Sequence, residues 1–95
     1  MEIELFQECI KETYFEKDSN RGINGTFLWF VEEVGELAKA IRKGNTKEME
    51  TEFADVFAWL ASLANLCDIN LYKASRKYMQ GCPKCEAKRC ICNTG

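Results

Sequence analysis

The sequence predicts an all-α protein, a bundle of four helices followed by a short cysteine-rich tail. Three observations predict it. The single proline, Pro83, lies in the tail, so nothing of that kind interrupts a helix over residues 1–80. Apolar residues return at three- and four-residue steps through most of that span. No stretch alternates polar and apolar residues as a half-buried strand does. The 95 residues suffice for one domain with a modest core, and a hydrophobic share of 46% is that of a folded chain.

A first helix, about 3–16, places Ile3, Phe6, Cys9, Ile10 and Thr13 on one face. Asp18-Ser19-Asn20-Arg21-Gly22 and Asn24-Gly25 read as a connecting loop. Thr26 is the expected N-cap of a second helix ending near Lys43, with Gly44 as its C′ residue. Asn45-Thr46-Lys47-Glu48 resembles a capping box and opens a third helix running to about Leu66. Asn70 caps a short fourth helix that ends before Gly81. The 43–46 connection is so short that helices two and three must form an antiparallel hairpin. Composition changes at Gly81, which divides a helical domain, 1–80, from a tail, 81–95.

On the second helix Phe27, Phe30, Val31, Val34, Leu37, Ala38 and Ile41 share an arc that reads as the core face. Trp29, Glu33, Glu36 and Ala40 run beside it, while Glu32, Lys39 and Lys43 point away and read as solvated. On the third helix Met49, Phe53, Val56, Phe57, Leu60, Leu63 and Ala64 form the apolar arc, edged by Glu52, Asp55 and Trp59. Gly35 in mid-helix is expected to allow close packing or backbone access to the site. The hairpin would bring Glu33, Glu36, Glu52 and Asp55 onto facing surfaces, where four carboxylates repel unless a cation neutralises them.

The chain has no histidine. That excludes Ser-His-Asp and Cys-His nucleophile pairs, His-ligated zinc enzymes and Glu-x-x-His di-iron bundles. All-oxygen ligands select a hard cation, Mg²⁺ or Mn²⁺, which completes its octahedron with water and substrate phosphates. The chemistry that follows is metal-assisted hydrolysis of a phosphate ester or anhydride. Trp29 and Trp59 would stack a base; the plainer reading makes them core or interface residues. For the carboxylates the plainer reading is ion pairing on a helix surface.

Glu32-Glu33-Val34-Gly35-Glu36-Leu37-Ala38-Lys39-Ala40-Ile41, followed after a spacer by Glu52-Phe53-Ala54-Asp55-Val56, resembles the MazG nucleotide pyrophosphohydrolases. Their signature is Glu-x-x-Glu and Glu-x-x-Asp, and here the spacer from Leu37 to Thr51 is fifteen residues. The Asp18…Arg21-Gly22 segment and the Gly81-Cys82-Pro83-x-Cys85 tail extend the likeness to small archaeal and bacterial MazG-like proteins. The resemblance implies an all-α bundle that assembles as a homodimer or tetramer. It implies hydrolysis of a nucleoside triphosphate to the monophosphate and pyrophosphate, a metal-activated water attacking the α-phosphorus, as nucleotide-pool house-cleaning. It implies that Glu33, Glu36, Glu52 and Asp55 are the Mg²⁺ ligands and that Glu32 orients water. Lys73, Arg76, Lys77 and Arg21 are candidate phosphate contacts, each otherwise a solvated cation.

The tail supplies Cys82, Cys85, Cys90 and Cys92 within eleven residues. Zinc, disulfides or a reduced tail all suit such clustering, and an iron–sulfur cluster has no supporting spacing. Cys9 and Cys67 read as buried hydrophobes.

Thirteen Lys and Arg against fifteen Asp and Glu give a net charge of -2, which argues against a nucleic-acid polymer as partner. The charge-broken N-terminus is not a signal peptide, and no apolar run approaches membrane-spanning length, so a cytoplasmic protein is expected. The rival to an enzyme is a non-enzymatic helical interaction module whose tryptophan stripe docks a partner and whose tail is clipped by zinc.

Overall fold

The computed structural model describes residues 2–93. Its elements are α1 (Ile3–Lys43), α2 (Thr46–Leu66), α3 (Leu71–Ser75) and a 3-10 turn (Arg76–Tyr78). No strand occurs among the described residues. No helix among them is long and apolar enough to cross a membrane.

The expected first and second helices run together as α1, two helical arms joined across a kink at Gly22. The expected loop at 18–25 is helical, and only Gly22 leaves helical geometry, at φ 85 and ψ 168. That conformation is essentially open to glycine alone, so one residue turns the chain and the helix resumes at once. Thr26 is therefore not an N-cap. It lies inside α1, fully buried, its Oγ1 accepting a hydrogen bond of 3.3 Å from Arg21 Nη1. The predicted fourth helix is reduced to the five residues of α3 and the 3-10 turn.

The α1–α2 turn forms as its caps require. Gly44 is left-handed at φ 73 and donates its N–H to the carbonyls of Ala40 and Ile41. Asn45 Oδ1 accepts from the Glu48 N–H at 3.0 Å, and Asn70 Oδ1 caps α3 by accepting from Lys73 at 2.9 Å. The arm of α1 before Gly22 crosses α2. Phe6 stacks on Phe57 with ring centroids 4.6 Å apart.

Gln7 fastens this crossing. Its Nε2 donates to Asn65 Oδ1 at 2.9 Å and to the Ile69 carbonyl at 2.7 Å. Its Oε1 accepts from the Leu71 N–H at 2.8 Å. A buried amide so fully satisfied ties α1, α2 and α3 at one point.

The face of α1 turned toward α2 is not the one with most apolar residues. Thr26 and Ala40 are buried, and Phe30, Glu33 and Leu37 half-buried, at four- and three-residue steps. Phe27, Val31, Val34, Ala38 and Ile41, one residue further round, stand exposed. On α2, Phe53, Phe57 and Leu60 are exposed as well. The apolar residues buried among those described are Ala40, Ala61 and Ala64, a very thin core. Cys9, on the first arm of α1, and Cys67, the C-cap residue of α2, are exposed, not buried. A Cβ at Gly35 would meet nothing within 4 Å, so close packing inside this chain does not explain that glycine.

Candidate functional site

The α1–α2 hairpin carries the acidic motifs to its inner seam. Glu33 lies on the buried stripe of α1, and Glu52 and Asp55 lie a helical turn apart on α2. One carboxylate oxygen from each of Glu33, Glu52 and Asp55 lies within 4.8 Å of the other two, and all three residues are half-buried. Glu36 falls outside this triad and is exposed. It lines a groove with Glu52, and its charge is felt by both Glu33 and Glu52. Glu32 points outward, as its helical position requires, and acts on Glu33 through its charge alone.

The crowding shows in proton affinity. Desolvation pushes the Glu33 carboxyl above its ordinary range, aided by the charges of Asp55, Glu36 and Glu32. Desolvation raises Glu52 too, together with a hydrogen bond to Asp55 and the charges of Asp55, Glu33 and Glu36. Groups that repel in this way fit a hard divalent cation, which satisfies all the oxygens at once. Their donor set is wholly oxygen, which suits Mg²⁺ or Mn²⁺ and not zinc.

Two cavities flank the triad. One, of about 540 Å³, lies in the hairpin groove and is lined by Glu36 and Glu52 together with Lys39, Lys43 and Lys47. Lys39 and Lys43 are exposed, as expected, and they also border this groove on either side of the inward-facing Ala40. The other, of about 280 Å³, joins Asp55 and Trp59 to Tyr14, Lys17, Asp18 and Arg21. Arg21 is held there by buried Asp18, Nη1 to Oδ1 at 2.8 Å. Its guanidinium lies 4.9 Å from the Trp59 ring centroid, a cation–π contact.

Trp29 and Trp59 do not stand apart as separate platforms. They stack on each other, centroids 6.0 Å apart and planes 14° from parallel. Lys73 lines a different cleft, with Glu4, Glu8 and Lys11. Lys77 lies over the Tyr78 ring and Arg76 is exposed, and neither borders a cavity that carries the carboxylates. Lys17, Tyr14 and Lys47 escaped the sequence reading. The usable signal was position: Tyr14 and Lys17 precede Asp18 and Arg21 by a helical turn, once that segment is read as helix.

The tail forms a second cluster. The Sγ atoms of Cys82, Cys85, Cys90 and Cys92 all lie within 4.8 Å of one another. Backbone N–H groups of Ile91 and Ala87 draw the Cys85 thiol down to about 6, whereas hydrogen bonds to Cys90, Cys82 and Cys85 push Cys92 up to about 11.

The family model for the MazG nucleotide pyrophosphohydrolase domain matches residues 21–85, from the kink through the first two tail cysteines. No curated protein matches the chain.

Proposed function

The chain belongs to the MazG nucleotide pyrophosphohydrolase family, a family of hydrolases, and from that premise we propose that it converts a nucleoside triphosphate and water to the monophosphate and pyrophosphate with Mg²⁺, or Mn²⁺ in its place. The observation that carries the reading is the convergence of Glu33, Glu52 and Asp55 on one point of the hairpin seam. Those three would hold the ion, with Glu36 at the margin. When bound, the ion supplies positive charge against phosphate oxygens and acidifies water.

The chain's own residues do the rest. Lys39, Lys43 and Lys47 offer ammonium groups to the polyphosphate along the groove beside Glu36 and Glu52. Local cations of this kind are needed on a chain of net charge -2. On the other side of Asp55, Trp59 provides an apolar wall for the nucleoside, and Asp18 keeps Arg21 against that wall. Trp29, stacked on Trp59 and still exposed, offers further ring surface to a base. Lys73, Arg76 and Lys77 have no part in this within a single chain. The working form is a homo-oligomer, and the role is removal of unwanted triphosphates from the nucleotide pool of the cytoplasm.

The test is pyrophosphate release from a panel of normal and modified triphosphates, with and without Mg²⁺. Glu52→Gln and Asp55→Asn should each lower the rate about 1000-fold, since metal-centred charge stabilisation contributes several kcal/mol. An interaction module would keep its binding partner in both variants. Absence of pyrophosphate release from every triphosphate would remove the enzyme reading.

A further inference from the structure

We propose that Cys82, Cys85, Cys90 and Cys92 form a tetrathiolate zinc site, and that this metal is the folding core of the tail. The first argument is distance. Four sulfurs each ~2.3 Å from a zinc ion stand ~3.8 Å apart along every edge of the tetrahedron. Cys82 Sγ and Cys92 Sγ are 3.8 Å apart, and all four sulfurs lie within 4.8 Å of one another. All six cysteines are free thiols.

The second argument is what surrounds the sulfurs. The Ile91 N–H points at Cys85 Sγ at 3.5 Å, and the Cys92 N–H points at Cys90 Sγ at 3.3 Å. Backbone donors of this kind orient thiolate ligands and disperse their charge. A zinc ion with four thiolates carries a net charge of about -2. Lys84 lies between the first two cysteines, and Lys88 and Arg89 directly precede the third; with Glu86 they give the tail a side-chain charge that offsets it.

The third argument is energetic. The residues from 81 to 93 are half-buried or exposed, so no apolar core explains why this segment folds back on itself. Yet the fold-back is specific. Cys82 donates its N–H to the Ala87 carbonyl at 2.9 Å, and Glu86 donates to the Cys82 carbonyl at 2.8 Å. Gly81 sits at φ 112, and a Cβ there would come within 2.6 Å of the Ala87 carbonyl oxygen. A coreless segment of this length needs a staple, and in small metal sites binding free energy is folding free energy.

The test uses the full chain, purified with a thiol reductant after zinc-supplemented expression. Elemental analysis should find about one zinc per chain, and native mass spectrometry should find it on a chain with no disulfide. Titrating metal-free protein with Co²⁺ should give the intense sulfur-to-cobalt absorption of a tetrahedral thiolate site. Cys82→Ser and Cys90→Ser should each lose at least about tenfold in zinc content or affinity, whereas Glu33→Gln should keep its zinc. Helical circular dichroism identifies any cysteine variant that fails to fold, and cobalt titration of the wild type decides the matter without variants. Less than about a tenth of a zinc per chain with no cobalt–thiolate absorption, paired disulfides in the mass, or iron in place of zinc would each overturn the proposal.

Discussion

Glu33 and Glu52 work against the stability of the metal-free protein. Their carboxyl groups hold protons more tightly folded than unfolded, because burial and neighbouring charges penalise the ionised form. The folded protein therefore binds more protons than the unfolded chain in the window just above the ordinary value of 4.5. By linkage, stability falls as pH rises through that window and recovers as pH falls back into it. Glu52→Gln removes the charge while keeping the shape. Thermal unfolding in chelator should thus show a higher midpoint for Glu52→Gln than for wild type at neutral pH, and saturating Mg²⁺ should raise wild type alone. A variant less stable than wild type in chelator would mean that the cluster is a stabilising hydrogen-bond network and not a strained metal site. At this scale the motif spacing was legible: Glu33, Glu52 and Asp55 follow from helical geometry across a tight turn. Gln7 was not, because a single buried amide carries no periodic signal until its partners Asn65, Ile69 and Leu71 are in place.

Among the elements, α1 departs furthest from what its residues announce. Asp18, Asn20, Asn24 and two glycines compose a loop by local propensity, yet Asp18 and Arg21 pair within one helical turn and only Gly22 breaks the ladder. Side-chain contacts override propensity here: Asp18, Arg21 and Thr26 are locked together by local hydrogen bonds, and Arg21 is seated on Trp59 of α2. Nothing lies within 4 Å of a Cβ at Gly22, so space is not what a side chain lacks there. Backbone conformation is. Gly22→Ala should cost about 1–3 kcal/mol in urea unfolding, the usual strain of a non-glycine residue in that region. Trp59 fluorescence should shift with it, since a straightened α1 withdraws Arg21 from the ring. An alanine variant as stable as wild type would show that the kink is not fixed in solution. The inward face of α1 was read in part: Phe30 and Leu37 turn inward as expected, whereas Phe27, Val31, Val34, Ala38 and Ile41 do not. The stripes 26-30-33-37-40 and 27-31-34-38-41 lie one residue, ~100°, apart, and periodicity does not say which faces α2. Assigning the richer apolar stripe to the core treats the chain as though it folded alone.

At the scale of the whole molecule, that apolar stripe is left uncovered by the chain's own elements. The chain exposes 7483 Å². A folded monomer of 10.9 kDa exposes ~5,600 Å², so about 1,900 Å² is in excess. Part of that belongs to the projecting tail. Much of the rest is apolar, because Phe27 is 51% exposed, Val31 50%, Ile41 51% and Phe53 56%. Obligate homo-oligomers bury roughly 2,000–5,000 Å² per interface, shared between the partners, and a second copy of this chain can supply its half. Such a patch on a permanently monomeric protein would be an aggregation liability. Light scattering on a sizing column should give a mass at least twice 10.9 kDa at micromolar concentration. Val31→Glu combined with Phe53→Glu should shift it toward the single chain, because two carboxylates cannot be buried unpaired in a subunit interface. Pyrophosphate release should fall with the assembly, since the carboxylate seam lies on the same two helices as the stripe and loses its support when the copies part. A fully active species at 10.9 kDa would show that one thinly cored chain holds Glu33, Glu52 and Asp55 in place unaided.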